Sequence, residues 1–123
     1  MLRPLTLVLA EQDPSLLALV RSALAGKVKE IAVVRSGWEL LALLVSRTFD
    51  LVICGARMGE PGGTRSLTMA RQLGHQVPFV VILSFSDPEA RLRTRAMGGE
   101  LLDGDFSEAD LIAAIEALTD RPA

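Results

Sequence analysis

The amino-acid sequence predicts an α/β fold in which helices cover both faces of a doubly wound, five-stranded parallel sheet. Five short apolar runs alternate along the chain with five segments of helical pattern. The apolar runs are polar only at their ends, which is typical of strands that are buried on both faces. Connections as short as these force parallel pairing through right-handed crossovers.

The predicted strands and helices alternate regularly along the chain. The strands are Leu5–Ala10, Lys29–Val34, Leu51–Cys54, Phe79–Leu83 and Glu100–Leu102. The helices are Ser15–Ala25, 37–48, Thr64–Leu73, 87–97 and Glu108–Leu118. Across the sheet we expect the flavodoxin-like strand order 2-1-3-4-5.

Capping residues mark several helix ends. Asp13 is a good N-cap for the first helix, and Pro14 suits its first turn because a proline there loses no hydrogen bond. Ser36 and Glu39 have the spacing of a capping box at the start of the second helix. Gly26 is a glycine stop after the first helix.

The central strand, Leu51–Cys54, runs directly into a loop that is rich in glycine. In open α/β sheets, ligands bind in the crevice at the carboxyl ends of the strands. The position after Cys54 is therefore where a functional side chain is expected. Gly55 occupies that position and has no side chain.

Length and composition exclude several classes of protein. The 123 residues fit one domain, 1–123, and half of them are hydrophobic. A net charge of -2 argues against a nucleic-acid partner. No apolar run is long enough to span a membrane. The single cysteine, Cys54, has no partner for an internal disulfide, which suits a reducing cytoplasm.

Over essentially its whole length, the chain resembles the receiver domain of bacterial two-component response regulators. The matching stretches are, in order, LVLAEQDPSLL, RSGWELLALL, FDLVICGARMGEPGG, VPFVVILSFSD and GGELLDGDFSEADLIAAI. The resemblance implies a domain that takes a phosphoryl group from a histidine kinase onto an aspartate at the end of the third strand. That aspartate and two acidic residues after the first strand would hold Mg²⁺. A Ser or Thr after the fourth strand and a Lys after the fifth would contact the phosphoryl oxygens.

Compared residue by residue with that family, the phosphorylation site is degenerate. Glu11 stands at the first acidic position, Gln12 at the second and Gly55 at the acceptor position. Ser84 matches the hydroxyl position, and Gly104 stands where the lysine belongs. The resemblance therefore implies a pseudo-receiver with no cofactor, no bound Mg²⁺ and no enzymatic activity.

The sequence leaves three alternatives open. Glu11, Asp103 and Asp105 are all expected near the carboxyl edge of the sheet, where they would form a rearranged cation site. A small molecule would occupy the vacated pocket beside Gly55 and Gly104 in a ligand-sensing pseudo-receiver. The third alternative is a conventional receiver that is still phosphorylated.

Three other residues are predicted to have no part in phosphoryl chemistry. Cys54 is expected to be a small buried hydrophobe rather than a redox thiol. His75 is expected in a surface loop. Asp50 enters the central strand at the opposite end of the sheet, ~16 Å from the pocket, and cannot replace the acceptor.

Receivers usually signal or dimerise through the fourth helix, the fifth strand and the fifth helix. On these elements we single out Arg91, Arg95, Leu101, Ala113 and Ala117 as a candidate partner surface. Arg91 and Arg95 share one helix face, and Leu101 stands about where the family carries a switch aromatic. We predict a phosphorylation-independent signalling module that binds a protein partner, with a homodimer as a candidate assembly.

Overall fold

A computed structural model describes residues 4–55, 58–83 and 87–119 of the chain. Its strands are β1 Thr6–Ala10, β2 Glu30–Val34, β3 Leu51–Gly55, β4 Phe79–Leu83 and β5 Glu100–Asp103. Its helices are α1 Pro14–Leu24, α2 Gly37–Ser46, α3 Gly63–Gln72, α4 Pro88–Ala96 and α5 Glu108–Thr119. All strand pairs are parallel, in the order β2-β1-β3-β4-β5, which confirms the predicted fold.

Each face of the sheet has its own apolar core. One core joins the sheet to α1 and α5 and includes Leu9, Ile53, Leu24, Leu111 and Ile115. The other joins the sheet to α2 and α3 and includes Val8, Phe79, Leu40, Leu44 and Leu67. Every residue of β3 and β4 is buried, as expected of central strands with helices on both sides.

The helix ends follow the capping signals. The Asp13 side chain accepts a hydrogen bond from the Ser15 N–H. At α2 the predicted cap is present, because Ser36 Oγ accepts from the Glu39 N–H. The Glu39 carboxylate reaches back as predicted, but it accepts from the Arg35 N–H, one residue before the N-cap. Gly26 has a φ of 74°, the left-handed conformation that glycine tolerates best.

The second helix ends earlier than predicted. It stops at Ser46 because Arg47 adopts an extended backbone, with φ -142° and ψ 157°. The Arg47 guanidinium donates to both carboxylate oxygens of Glu30 and lies 4.8 Å from the Phe49 ring centroid. These contacts turn the chain out of the helix and into β3.

Arg71 joins three elements at the end of the sheet away from the candidate site. Its guanidinium donates to the backbone carbonyls of Met97, His75 and Val77, at 2.8–2.9 Å. It also lies 5.4 Å from the centroid of the Phe79 ring. Partial burial lowers the pKa of Arg71 below its usual value. The side chain thereby ties the end of α3 to the end of α4 and to the chain entering β4.

Within the described ranges, no helix has the length and apolar character needed to cross a membrane.

Candidate functional site

The candidate site lies at the carboxyl edge of the sheet, where β1 and β3 end side by side. Ala10 is paired with Cys54 in the parallel register, so the next residues, Glu11 and Gly55, are neighbours across the two strands. Gly55 is the last residue of β3 and is fully packed. The structure thus places the first acidic position directly beside the acceptor position.

The Glu11 carboxylate fills the space that a side chain at position 55 would need. A Cβ atom built on Gly55 would lie only 1.9 Å from Glu11 Oε1. The Glu11 residue is 7% exposed, and its Oε2 accepts hydrogen bonds from the N–H groups of Gln12 (2.8 Å) and Asp13 (3.0 Å). Two such charge-assisted bonds hold a carboxylate firmly in place.

Gln12 points away from Gly55, towards the connection between β2 and α2. Its Nε2 donates to the Arg35 carbonyl at 3.1 Å. A Cβ atom at Gly59 would lie 2.6 Å from that nitrogen, so the glycine makes room for the amide. The residue at the second acidic position therefore serves as a link between loops.

The loop after β3 is fastened to the start of α2 by backbone hydrogen bonds. The Gly59 N–H donates to the Arg35 carbonyl, and the Gly37 N–H donates back to the Gly59 carbonyl at 2.9 Å. The Trp38 N–H donates to the Glu60 carbonyl at 3.2 Å. Gly59 and Glu60 of this loop are thus tied to the start of α2.

Of the other two degenerate positions, Ser84 and Gly104, the structure describes only Gly104. Ser84 lies outside the described residues. Gly104 is exposed in the turn after β5. The chain has only two lysines. Lys27 Nζ contacts Glu108 and the Ala23 carbonyl, and Lys29 directly precedes β2, at the opposite end of the sheet. No lysine ammonium is available to this edge of the sheet.

The residues at this edge do not fit the Mg²⁺ site that the family uses. Mg²⁺ requires near-octahedral oxygen ligands and is usually held by one or two carboxylates together with waters. Here the Glu11 carboxylate is engaged by two backbone amides, and Asp103 pairs with the Arg91 guanidinium. Among the described residues, no cluster of three or more His, Cys, Asp or Glu side chains is arranged to hold a metal ion. Within that part of the chain, Glu11, Asp103 and Asp105 do not come together as such a cluster.

The residues predicted to have no chemical role are placed accordingly. Cys54 is fully buried, and burial raises the pKa of its thiol, with a further increase from the Glu11 charge. Asp50 lies at the opposite end of the sheet, where its Oδ2 accepts from the Thr6 N–H at 2.9 Å. His75 follows α3, and its carbonyl accepts from Arg71.

Three of the five residues predicted as a partner surface line one groove. Leu101, Ala113 and Ala117 line one groove between β5 and α5. Arg91 reaches this groove through its ion pair with Asp103, which also lines it. Arg95 is exposed on α4. The assignment of these five residues to one partner surface therefore stays a prediction.

Two features of the surface were not anticipated from the sequence. Trp38 and Val45 on α2 are 60% and 73% exposed, and their spacing of seven residues puts them on one helix face. Leu92 on α4 is 72% exposed. An apolar residue in a helix predicts burial by default, so only the tertiary structure reveals these exceptions.

Comparisons with known proteins agree with this geometry. The family model of the response regulator receiver domain matches residues 7–116. The transcriptional regulatory protein ZraR of Salmonella typhimurium is 27% identical over 92 residues, which cover 75% of this chain and 21% of that protein. ZraR of Escherichia coli K12 is 25% identical over 114 residues, covering 89% and 26%. The chain thus spans only a fifth to a quarter of these curated relatives.

Solved structures share the fold at low sequence identity. A putative response regulator from Chloroflexus aurantiacus superposes with a TM-score of 0.86 at 21% identity, covering 97% of this chain and all of the other. The receiver domain of a Francisella response regulator gives a TM-score of 0.85 at 19% identity, covering 97% and 98%.

The fold, the position of the site and the match over residues 7–116 define one class of protein. The chain belongs to the response regulator receiver domain family, and such domains act by interacting with signalling partners.

Proposed function

We propose that this receiver domain works without phosphorylation and signals by binding a protein partner. The proposal rests on the end of β3, where Gly55 stands at the position of the acceptor aspartate. Gly55 offers no nucleophile, and the Glu11 carboxylate lies where an acceptor side chain would stand. Phosphoryl transfer requires a positioned nucleophile and cations to neutralise the transferring group.

The surrounding residues support the same proposal. Glu11 and Gln12, at the two acidic positions, are both engaged in hydrogen bonds that fasten loops, and Gly104 supplies no ammonium. Restoring the chemistry would therefore require several changes at once. The domain would also be non-enzymatic and need no metal cofactor.

The face formed by α4, β5 and α5 is the partner surface in this proposal. Without a phosphoryl group, the usual bias between two states is missing, so a partner must itself distinguish any states that the domain adopts. The alternative of a ligand-sensing pocket receives no support from the geometry, because the Glu11 carboxylate already occupies the space beside Gly55.

Calorimetric titration with Mg²⁺ and beryllofluoride tests the proposal. Beryllofluoride with Mg²⁺ binds receivers that have an acceptor aspartate, so we expect no saturable heat when both are added to this protein. The fluorescence of Trp38, the only tryptophan, reports on the same titration, because the backbone N–H of Trp38 donates to the Glu60 carbonyl in the loop after β3. A conventional receiver domain titrated in the same buffer is the positive control. Saturable one-to-one binding would contradict the proposal.

A further inference from the structure

The strand β2 forms one edge of the sheet and, within the described residues, pairs only with β1. After Glu30 at its start, β2 consists of four apolar residues that are all half-buried. The strand at the other edge, β5, is shorter and has an acidic residue at each end, Glu100 and Asp103. Charged side chains on a short strand are a common means by which an edge avoids pairing with another chain. The β2 edge is therefore the one that remains open to a further strand.

The backbone groups that β2 offers at this edge are those of Ile31 and Val33. The Glu30 N–H donates to the chain just before β1, and the Val34 carbonyl accepts from the chain just after β1. Both of these residues therefore direct their backbone groups towards β1. Because backbone groups point to alternate sides along a strand, those of Ile31 and Val33 face outward, where an edge strand leaves them unpaired.

The flank of α2 that lies beside β2 carries an acid, an apolar residue and a base in succession. Glu39 Oε1 accepts from the Arg35 N–H, directly after β2, and Arg47 donates to Glu30, the first residue of β2. Leu43 is half-buried and stands four residues from each of them in sequence. Residues four apart share one side of a helix. The three residues thus follow the length of β2, with the negative charge at one end and the positive charge at the other.

We infer that β2 pairs antiparallel with β2 of a second copy of this chain, in a symmetric dimer whose two sheets join into one. The two-fold axis places α2 of both copies on the same face of the joined sheet, in opposite directions. Glu39 of each copy then meets Arg47 of the other, and Leu43 meets its own equivalent. A symmetric interface must be complementary to itself, and this flank is. Charge complementarity thus favours a second copy over an unrelated strand.

Pairing centred on Ala32 uses the outward backbone groups of both copies. Ile31 of one copy lies opposite Val33 of the other, and the two exchange both N–H to C=O hydrogen bonds. Pairing centred on Val33 would need the backbone of Arg35, whose N–H and C=O are already bonded within the same copy. The Ala32 register brings Lys29 opposite Arg35, and both residues are exposed, so solvent and salt screen their repulsion.

Sedimentation velocity and charge-reversal variants test the inference. At loading concentrations from about 5 to 500 µM, where small and transient interfaces associate, we expect a reversible monomer–dimer equilibrium. Glu39→Lys and Arg47→Glu each place like charges across the two-fold axis, so each should weaken the dimer about tenfold. An equimolar mixture of the two variants should recover the association, because the reversed charges then meet each other and so do the native ones.

A second pair of variants tests the two-fold axis itself. Leu43→Lys places two cations against each other and should abolish the dimer, whether or not the charge-reversal variants fold. Val45→Lys is the matched control, because Val45 is 73% exposed on another side of α2 and should leave the association unchanged. Hydrogen exchange should show the Ile31 and Val33 amides becoming protected as the concentration rises. The Ala32 amide, which faces β1, should be protected at every concentration. Circular dichroism verifies the fold of each variant.

Several results would overturn the inference. A protein that stays monomeric throughout the concentration range would do so. A dimer that survives Leu43→Lys, that the equimolar mixture fails to restore, or that Val45→Lys abolishes would have its contact elsewhere. Protection of Ile31 and Val33 in a monomer, only after an extended peptide is added, would assign the edge to a foreign strand. The inference goes beyond the proposed function and fails separately from it, since neither measurement depends on whether a phosphoryl group is accepted.

Discussion

Replacing Gly55 with aspartate is expected to lower the free energy of unfolding by about 2–4 kcal/mol and to create no working phosphoacceptor. A Cβ atom at this position would lie 1.9 Å from Glu11 Oε1, so the Glu11 side chain must move. Moving it breaks the hydrogen bonds from the Gln12 and Asp13 amides, and it leaves two carboxylates close together in a packed site. Urea denaturation measures the change.

A double-mutant cycle isolates the cause of this loss. Glu11→Ala/Gly55→Asp removes the overlap, so we expect the pair to be more stable than the sum of the single changes predicts, by about 1–2 kcal/mol. Gly104→Asp is the matched control, because Gly104 is exposed in a turn, and its effect should stay within about 0.5 kcal/mol. If Gly55→Asp left the free energy of unfolding unchanged, or if the effects in the cycle were strictly additive, Glu11 would not fill the acceptor space.

The variant Arg71→Ala is expected to lower the free energy of unfolding by about 2–3 kcal/mol, because hydrogen bonds to a charged group contribute more than neutral ones. The guanidinium donates to the carbonyls of Met97, His75 and Val77, and its removal leaves them with fewer partners. Its position over the Phe79 ring adds to the loss. Urea denaturation again measures the size of the effect.

The matched control for Arg71 lies on the same helix. Arg65 is exposed and forms no ion pair within the described residues, so Arg65→Ala should change stability by less than about 0.5 kcal/mol. Hydrogen exchange should locate the Arg71→Ala effect at the last turn of α4 and the start of β4. Equal losses in the two variants, or faster exchange confined to α3, would contradict the role of Arg71 as a link to α4.

Much of the fold follows from local sequence signals. Strands β3 and β4 are buried on both faces, so the sequence marks each of them by an apolar run with polar residues only at its ends. The spacing of Ser36 and Glu39 predicts the start of α2. The sequence predicts the end of α2 at about Thr48, whereas the helix ends at Ser46. Nothing local marks the point where Arg47 leaves the helix, since the Glu30 carboxylate that holds it lies on another strand.

The candidate site could be located from the sequence but not fully described. Strand order and register make Glu11 a neighbour of Gly55, and a large residue beside a glycine is a recognisable signal. The direction of the Glu11 side chain depends on its rotamer and on the Gln12 and Asp13 amides, which only the folded chain positions. Likewise, Arg71 matches no motif, because its three acceptors are backbone carbonyls.

The partner surface, too, could be predicted from the sequence only in part. The sequence places Leu101, Ala113 and Ala117 on the expected elements, but their convergence on one groove depends on the packing of α5 against β5. The exposure of Trp38 contradicts the simple expectation for an aromatic residue in an apolar helix. Such features arise from tertiary contacts, which periodicity alone cannot encode.

Intact-protein mass spectrometry tests most directly whether this domain accepts a phosphoryl group. The protein is incubated with Mg²⁺ and acetyl phosphate beside a conventional receiver domain, which verifies that the donor is active. We predict that this protein gains no phosphoryl mass, because Gly55 offers no nucleophile and the chain has no lysine after the fifth strand. A stoichiometric phosphoryl adduct would contradict the account and require another residue to be the acceptor.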